Sequence, residues 1–176
     1  MLGASAAGCG AERPAPVAVP VPPVPLKTPT AAPACPPEGV VVSADEGDAA
    51  MGLRVIGVRL RNCGTEPYRV NGYPGLRLRD AEGTALKVDI GHGSGGVSRV
   101  ESLGHPPRPL VLGPGESATA GIIWRNLVTD ATVTATLVTS LDVVPVPDTP
   151  AQTVAVHIDL GNTGRIGVSA WRRLPG

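Results

Sequence analysis

Two stretches, Val40-Val41-Val42-Ser43-Ala44-Asp45 and Ile56-Gly57-Val58-Arg59-Leu60-Arg61, set apolar Val40, Val42, Ala44, Ile56, Val58 and Leu60 in alternation with Ser43, Asp45, Arg59 and Arg61. A period of two belongs to a strand with one buried and one wet face, because successive side chains leave a pleated backbone on opposite sides. The pattern continues outward. Leu76-Arg77-Leu78-Arg79-Asp80 and Leu86-Lys87-Val88-Asp89-Ile90 are joined through Asp80-Ala81-Glu82-Gly83, where Asp opens a turn and Gly closes it, so a hairpin is predicted. Further strands are predicted over 118–124, over 133–143 with Thr on the outer face, over 154–158 and over 166–168, and no segment sustains a helical period. About seven to nine short strands between Gly and Pro turns, over roughly 140 residues, give an all-β fold: an antiparallel β-sandwich, with a small closed barrel as the alternative.

A chain of 176 residues with 42% hydrophobic residues can bury one core. Fifteen Lys+Arg balance fifteen Asp+Glu, so the net charge offers no electrostatic footprint for nucleic acid, and no nucleic-acid partner is expected. Phe is absent and the aromatics are Tyr68, Tyr73, Trp124 and Trp171, so the core must be built from Val, Leu, Ile and Ala. Trp124 shares the parity of Ala118, Ala120 and Ile122 and is expected in that core, and Tyr73, before Pro74, is expected to cover one end of the sandwich. Tyr68 with Arg125 is the candidate contact pair, and on that basis Tyr68→Ala should leave melting nearly unchanged.

The composition changes near residue 38. Residues 1–37 hold ten of the twenty prolines and only Glu12, Arg13 and Lys27 as charges. Each Pro removes a donor and drives its predecessor toward extended angles, and so little side-chain volume cannot make a core. Residues 10–34 are therefore predicted as a disordered Pro/Ala-rich stalk, reaching about 75 Å if extended as polyproline II. Ahead of it, Ala6-Ala7-Gly8-Cys9 resembles a bacterial lipobox, which implies cleavage before Cys9 and a lipid on its sulfur. Too few residues precede Cys9 for a basic region and an apolar region, so the natural start is expected upstream; a short Ala-rich terminus with a chance Cys is the alternative. No apolar run approaches the length of a membrane span. The expected division is a signal-like segment over 1–9, a linker over 10–34 and a β-sandwich domain over 35–176.

With Cys9 lipidated, Cys35 and Cys63 remain as an even pair flanking the first predicted strands. Opposed residues of an antiparallel pair have a constant number sum. Setting Cys35 against Cys63 places Val40 opposite Val58 and Val42 opposite Ile56, with both apolar rows on one face. The cysteines then fall on the polar face, so a bridge is expected at the outer rim unless Pro36-Pro37 resets the pleat. Such a bridge persists only in an oxidising compartment; two buried thiols in a cytosolic protein are the alternative.

Local spacing yields little chemistry. Gly91-His92-Gly93-Ser94-Gly95-Gly96 matches G-x-G-x-x-G, but that motif holds a pyrophosphate only where a strand turns into a helix, and the extended Val97-Ser98-Arg99-Val100 follows. A flexible loop is expected there. His92, His105 and His157 each lack a second ligand at metal spacing and are expected as isolated exposed residues. No Ser lies in G-x-S-x-G, and no paired-carboxylate or Cys-His arrangement is present at local spacing. No catalytic residue, cofactor or metal is expected.

Four groups of residues carry a family resemblance. They are Asn62-Cys63-Gly64 within Leu60–Tyr68, Gly72-Tyr73-Pro74, Asp80-Ala81-Glu82-Gly83, and Leu112-Gly113-Pro114-Gly115-Glu116-Ser117-Ala118 with Trp124-Arg125-Asn126. Together these resemble the domain of unknown function 4232 over residues 35 to about 171. The closing Gly161-Asn162-Thr163-Gly164-Arg165-Ile166-Gly167-Val168 resembles members that carry this Trp-Arg-Asn. Many members place a second Cys after the Asn-x-Gly turn, where this chain has Tyr68. The resemblance implies an immunoglobulin-like sandwich in secreted proteins and lipoproteins of actinobacteria, and it implies no activity. The expected function is a non-enzymatic extracytoplasmic module at the bacterial cell envelope. It would be anchored in the membrane through a lipid on Cys9 and would meet an envelope protein or polymer. The alternative is a cell-envelope hydrolase with a dispersed site.

Overall fold

In the computed structural model, which describes residues 34–175, the strands in chain order are β1 (Val40–Ala44), β2 (Asp48–Ala50), β3 (Leu53–Asn62), β4 (Tyr68–Val70), β5 (Gly75–Arg79), β6 (Asp89–His92), β7 (Leu110–Leu112), β8 (Ser117–Arg125), β9 (Leu137–Val144), β10 (Gln152–Asp159), β11 (Arg165–Val168) and β12 (Arg172–Arg173). The all-β expectation holds. The main sheet has the order β1-β3-β8-β11-β6, with β2 also beside β3 and β12 beside β8; a second sheet has the order β10-β9-β5, and β4 pairs with β7 as a ribbon. Val42, Val58, Leu60, Ala120 and Ile122 of the main sheet share one buried core with Leu78, Leu141, Val143 and Val154 of the second.

The first register differs from the one derived from the cysteines. β1 and β3 are antiparallel, but Val40 faces Asn62 and Val42 faces Leu60. The offset from the expected pairing is even, so the apolar rows stay on the core face. Its cause is the turn ahead of β1. Gly39, at φ +74, donates to the Pro36 carbonyl, and its own carbonyl accepts from the Cys63 and Gly64 N–H groups at 2.9 Å each. Cys35 therefore meets Cys63 around a turn rather than along a ladder. The two are bonded with a Cα–Cα distance of 5.6 Å, Cys35 exposed and Cys63 half-buried, at the rim. A bridge across a sequence separation of 28 stabilises by about 3.5 kcal/mol in the chain-entropy model. A Cys35→Ser/Cys63→Ser chain should lose roughly that much, read from its urea midpoint.

The predicted hairpin forms its turn and then dissolves. Asp80 Oδ1 accepts from the Glu82 and Thr84 N–H groups (3.1 and 2.7 Å), and Gly83, at φ +78, donates to the Asp80 carbonyl. The returning arm touches β5 only through an Arg79–Ala85 bridge and the Leu86 N–H to the Leu78 carbonyl. It then crosses to the main sheet, where β6 runs parallel to β11. Leu86, Val88 and Ile90 stay against the core throughout, so the alternation serves a crossover instead of a second hairpin strand.

Two other expectations are corrected. The strand predicted from 133 begins at Leu137, because Asp130 Oδ1 captures the Thr132 N–H and hydroxyl (2.8 and 2.6 Å) and turns the chain, leaving Val133 exposed. The loop Gly91–Gly96 is packed rather than flexible. A Cβ on Gly95 would stand 2.6 Å from the Ile166 carbonyl oxygen, and one on Gly167 would stand 2.5 Å from the Ser94 carbonyl carbon. These glycines let the loop lie directly on β11, where Gly93 donates to the Val168 carbonyl at 2.7 Å. Leu103 covers Gly121 on the same outer face, and on that face Ile123 is fully buried while Trp124 is buried on the other.

One ion pair spans the second sheet. Arg79 reaches Asp142 Oδ2 through Nε (2.8 Å) and a terminal nitrogen (2.6 Å), and the Thr153 hydroxyl donates to the other carboxylate oxygen at 2.8 Å. The Arg79 hydrogen bond, then that from Thr153, holds the Asp142 carboxyl below its ordinary value. A depressed carboxyl contributes stability above its unfolded pKa, near 4, and loses it as the pH falls through the folded value. Asp142→Asn should therefore be less stable than the parent at pH 7 and should show a flatter loss of stability in acid, measured by urea titration at each pH.

Candidate functional site

The two sheets meet along their edges at β1 and β10, and there a side chain does the joining. Gln152 accepts from the Val42 N–H and donates to the Val40 carbonyl, both at 2.9 Å. Further along, the edges separate. Continuing the β1 register would set Asp48 against Arg54, yet Asp48 faces Val55, so one extra residue sits in Asp45–Gly47 as a bulge. β10 has its own irregularity between Ala155 and Ile158. The two defects lie side by side and open a cleft of about 540 Å³ walled by Asp45–Ala49 and Ala155–His157, with Ile56 and Trp124 at its base. Exposed Glu46 and Asp48 stand on its rim, with Arg54 and His157 as the basic groups. Asp45 is paired with Arg59 at 3.2 Å.

Below the cleft, Trp-Arg-Asn forms a clasp. Trp124 Nε1 donates to the Asp159 carbonyl (2.9 Å), Asn126 Nδ2 donates to Asp159 Oδ2 (3.0 Å), and Arg125 Nε donates to the Val97 carbonyl (3.2 Å). Beyond it, Asn162 accepts from the Thr129 N–H and donates to the Asp130 carbonyl, while its own N–H reaches the Leu127 carbonyl. Gly161, at φ +55, has no room for a Cβ beside the Leu127 carbonyl. Trp124-Arg125-Asn126 and Gly161-Asn162-Thr163-Gly164 are thus two halves of one fastening.

The other motifs close the opposite end of the sandwich. Buried Asn62 donates through Nδ2 to the Glu66 and Leu112 carbonyls, 2.8 Å each, and accepts from the Gly64 N–H at 3.0 Å. Its backbone joins Glu116 and Gly115, so the Asn-x-Gly turn and the Leu-x-Pro-Gly turn share one hub. Gly72, at φ +87, presents its carbonyl to the Trp171 N–H. A family model described as Domain of unknown function (DUF4232) matches residues 35–172. The chain belongs to this family. No curated protein and no solved structure matches.

In this DUF4232 domain the motif residues build the fold. Trp124 is in the core as expected, and Tyr73 is half-buried at the core's edge, its ring stacked on exposed His92 with centroids 3.8 Å apart. His92 is therefore exposed but not isolated; His105 lines a second groove with Arg108, Arg172 and Arg173, and His157 lines the cleft. Tyr68 and Arg125 do not meet, because Tyr68 pairs with Leu112 beside the Asn62 hub whereas Arg125 faces Leu53 at the far end of β3.

Tyr68 is also less free than expected. Its ring packs on the core, and its buried hydroxyl lies beside Thr149, whose own hydroxyl is held by the Val146 carbonyl at 2.7 Å, so Tyr68 makes no hydrogen bond of good geometry. Burial, with a smaller contribution from nearby Glu38, raises its pKa above the ordinary value. Tyr68→Phe should melt at or above the parent temperature, and Tyr68→Ala should melt well below it, because the buried ring and not the hydroxyl stabilises. Cys9 and the linker up to residue 33 lie outside the described residues. The cleft itself escaped the sequence reading, and the one signal for it was Gly47 between two apolar strands, the mark of a bulge.

Proposed function

We propose that this DUF4232 domain is a non-enzymatic binding module at the bacterial cell envelope, held outside the cytoplasm by a lipid on Cys9 and carried on the Pro/Ala-rich segment 10–34. The observation that carries this reading is the Cys35–Cys63 bridge at the exposed rim, where the domain begins. A disulfide so placed is open to cytosolic reductants and persists in an oxidising compartment. The lipobox-like Ala6-Ala7-Gly8-Cys9 and the Pro/Ala-rich composition after it would supply an anchor and a spacer ahead of the domain in sequence. Binding is supported over hydrolysis by the use made of the polar groups under the cleft: Asn126, Asp159 and Trp124 are engaged with one another. The test is fractionation of cells producing the tagged protein from its gene with native upstream sequence. The parent should stay with the membrane and Cys9→Ala should appear in the medium. An unaltered membrane fraction for Cys9→Ala would reject the anchor.

A further inference from the structure

We propose that the cleft between β2 and β10 accepts an extended basic segment of a partner polypeptide as an added strand. The proposal rests on the binding-module reading and names the occupant and its mode.

Both walls are strand edges. β2 pairs with β3 on one side, and β10 pairs with β9 on one side. Met51 and Gly52, at φ 46 and 76, are the two residues of the β2–β3 turn, so Ala50 and Leu53 close it as a hydrogen-bonded pair and Asp48 with Val55 is the next such pair. Ala49, between them, directs its N–H and carbonyl away from β3, and it lines the cleft. An edge of this kind is a template for another chain.

The closed end of the same seam shows how wide the gap is. Where β1 and β10 run side by side they do not pair directly; the Gln152 amide donates to one backbone carbonyl and accepts from one backbone N–H of β1. That amide does the work of one residue of an intervening strand, whose N–H and C=O face the same neighbour. Past Gln152 the seam continues between the two bulges with no such filler among the described residues, over the apolar base of Ile56 and Trp124.

Charge selects the guest. The lining sets Asp45, Glu46, Asp48 and Asp159 against Arg54 and His157, and Glu46 and Asp48, exposed on the rim, make no ion pair among the described residues, so a segment with Lys or Arg at alternate positions meets carboxylates while its other side chains face the apolar base. The cleft lies toward the Leu53 end of β3, opposite Cys63 and the point where residue 34 enters.

The test uses the full chain, isotope-labelled for NMR, and two acetylated, amidated hexapeptides, one alternating lysine with valine and one alternating glutamate with valine. The lysine peptide should shift the amides of Ala49 and Ala155 and slow hydrogen exchange at Ala49 at least tenfold. Glu46→Lys/Asp48→Lys should weaken it at least tenfold. Ala49→Pro, which removes the outward N–H and breaks no β2–β3 hydrogen bond, should abolish binding with little change in melting. Equal binding of the glutamate peptide, shifts confined to the groove of Arg108 and Arg172, or an Ala49 amide already protected tenfold in the free chain would each overturn the proposal. The last outcome would mean that this chain or a second copy fills the seam. Release of Cys9→Ala into the medium is a separate readout, so failure of strand addition and failure of the anchored reading are told apart.

Discussion

Trp124→Ala should cost about 3 to 5 kcal/mol and lower the melting temperature by roughly 10–20 °C, the largest loss expected from a single truncation in this domain. The indole is 3% exposed, sits between Arg54 on β3 and Ile166 on β11, and donates its one N–H to the Asp159 carbonyl. Truncation opens a cavity under the cleft and leaves that carbonyl without its donor. Trp124→Phe separates the two contributions: it keeps most of the volume and loses the donor, so about 1 to 2 kcal/mol should go. A Trp124→Ala chain that melted with the parent in calorimetry would mean the ring is not in the core, and Trp-Arg-Asn would become a contact surface.

Asn62→Ala should be nearly as damaging, at about 3 to 5 kcal/mol, although it removes little volume. Its side chain is 1% exposed and serves the Glu66 carbonyl, the Leu112 carbonyl and the Gly64 N–H at once. Each buried group left without a partner costs about 1 to 3 kcal/mol. Asn62→Asp should recover nothing, because it retains the acceptor for Gly64 but sets a carboxylate against two carbonyl oxygens. Urea midpoints of the two variants decide this; an Asn62→Asp chain as stable as the parent would show that the Nδ2 bonds contribute nothing. Because the hub ties the turn containing Cys63 to the turn before β8, its loss should also expose the bridge to reductant at lower urea concentration.

Most of the core was legible because alternation reports burial directly. Val40, Val42, Ile56, Val58, Leu60 and Trp124 were placed by parity alone, and parity survives an even shift of register. That is why the β1–β3 register could be wrong while the buried face was right. Ile123 was harder, since a strand covered on both faces shows a continuous apolar run, and its second cover, the segment of Leu103 with the packed loop Gly91–Gly96, is remote in sequence. The Thr-rich run before Leu137 misled for the opposite reason: alternation of Thr with Val and Ala imitates a strand, while Asp130 decides the turn.

The sequence by itself determined the class of fold and the buried faces of its strands, because both depend on residue type at short, regular spacing, and it carried the family in motifs spread from residue 60 to residue 126. Only the tertiary structure decided where the Asp80 turn sends its second arm, which motif fastens to which, and where the seam between the sheets opens. The seam depends on two bulges, at Asp45–Gly47 and at Ala155–Ile158, far apart in the chain. Each is one inserted residue that leaves the composition of its strand unchanged, and the cleft exists only because folding brings them to the same place.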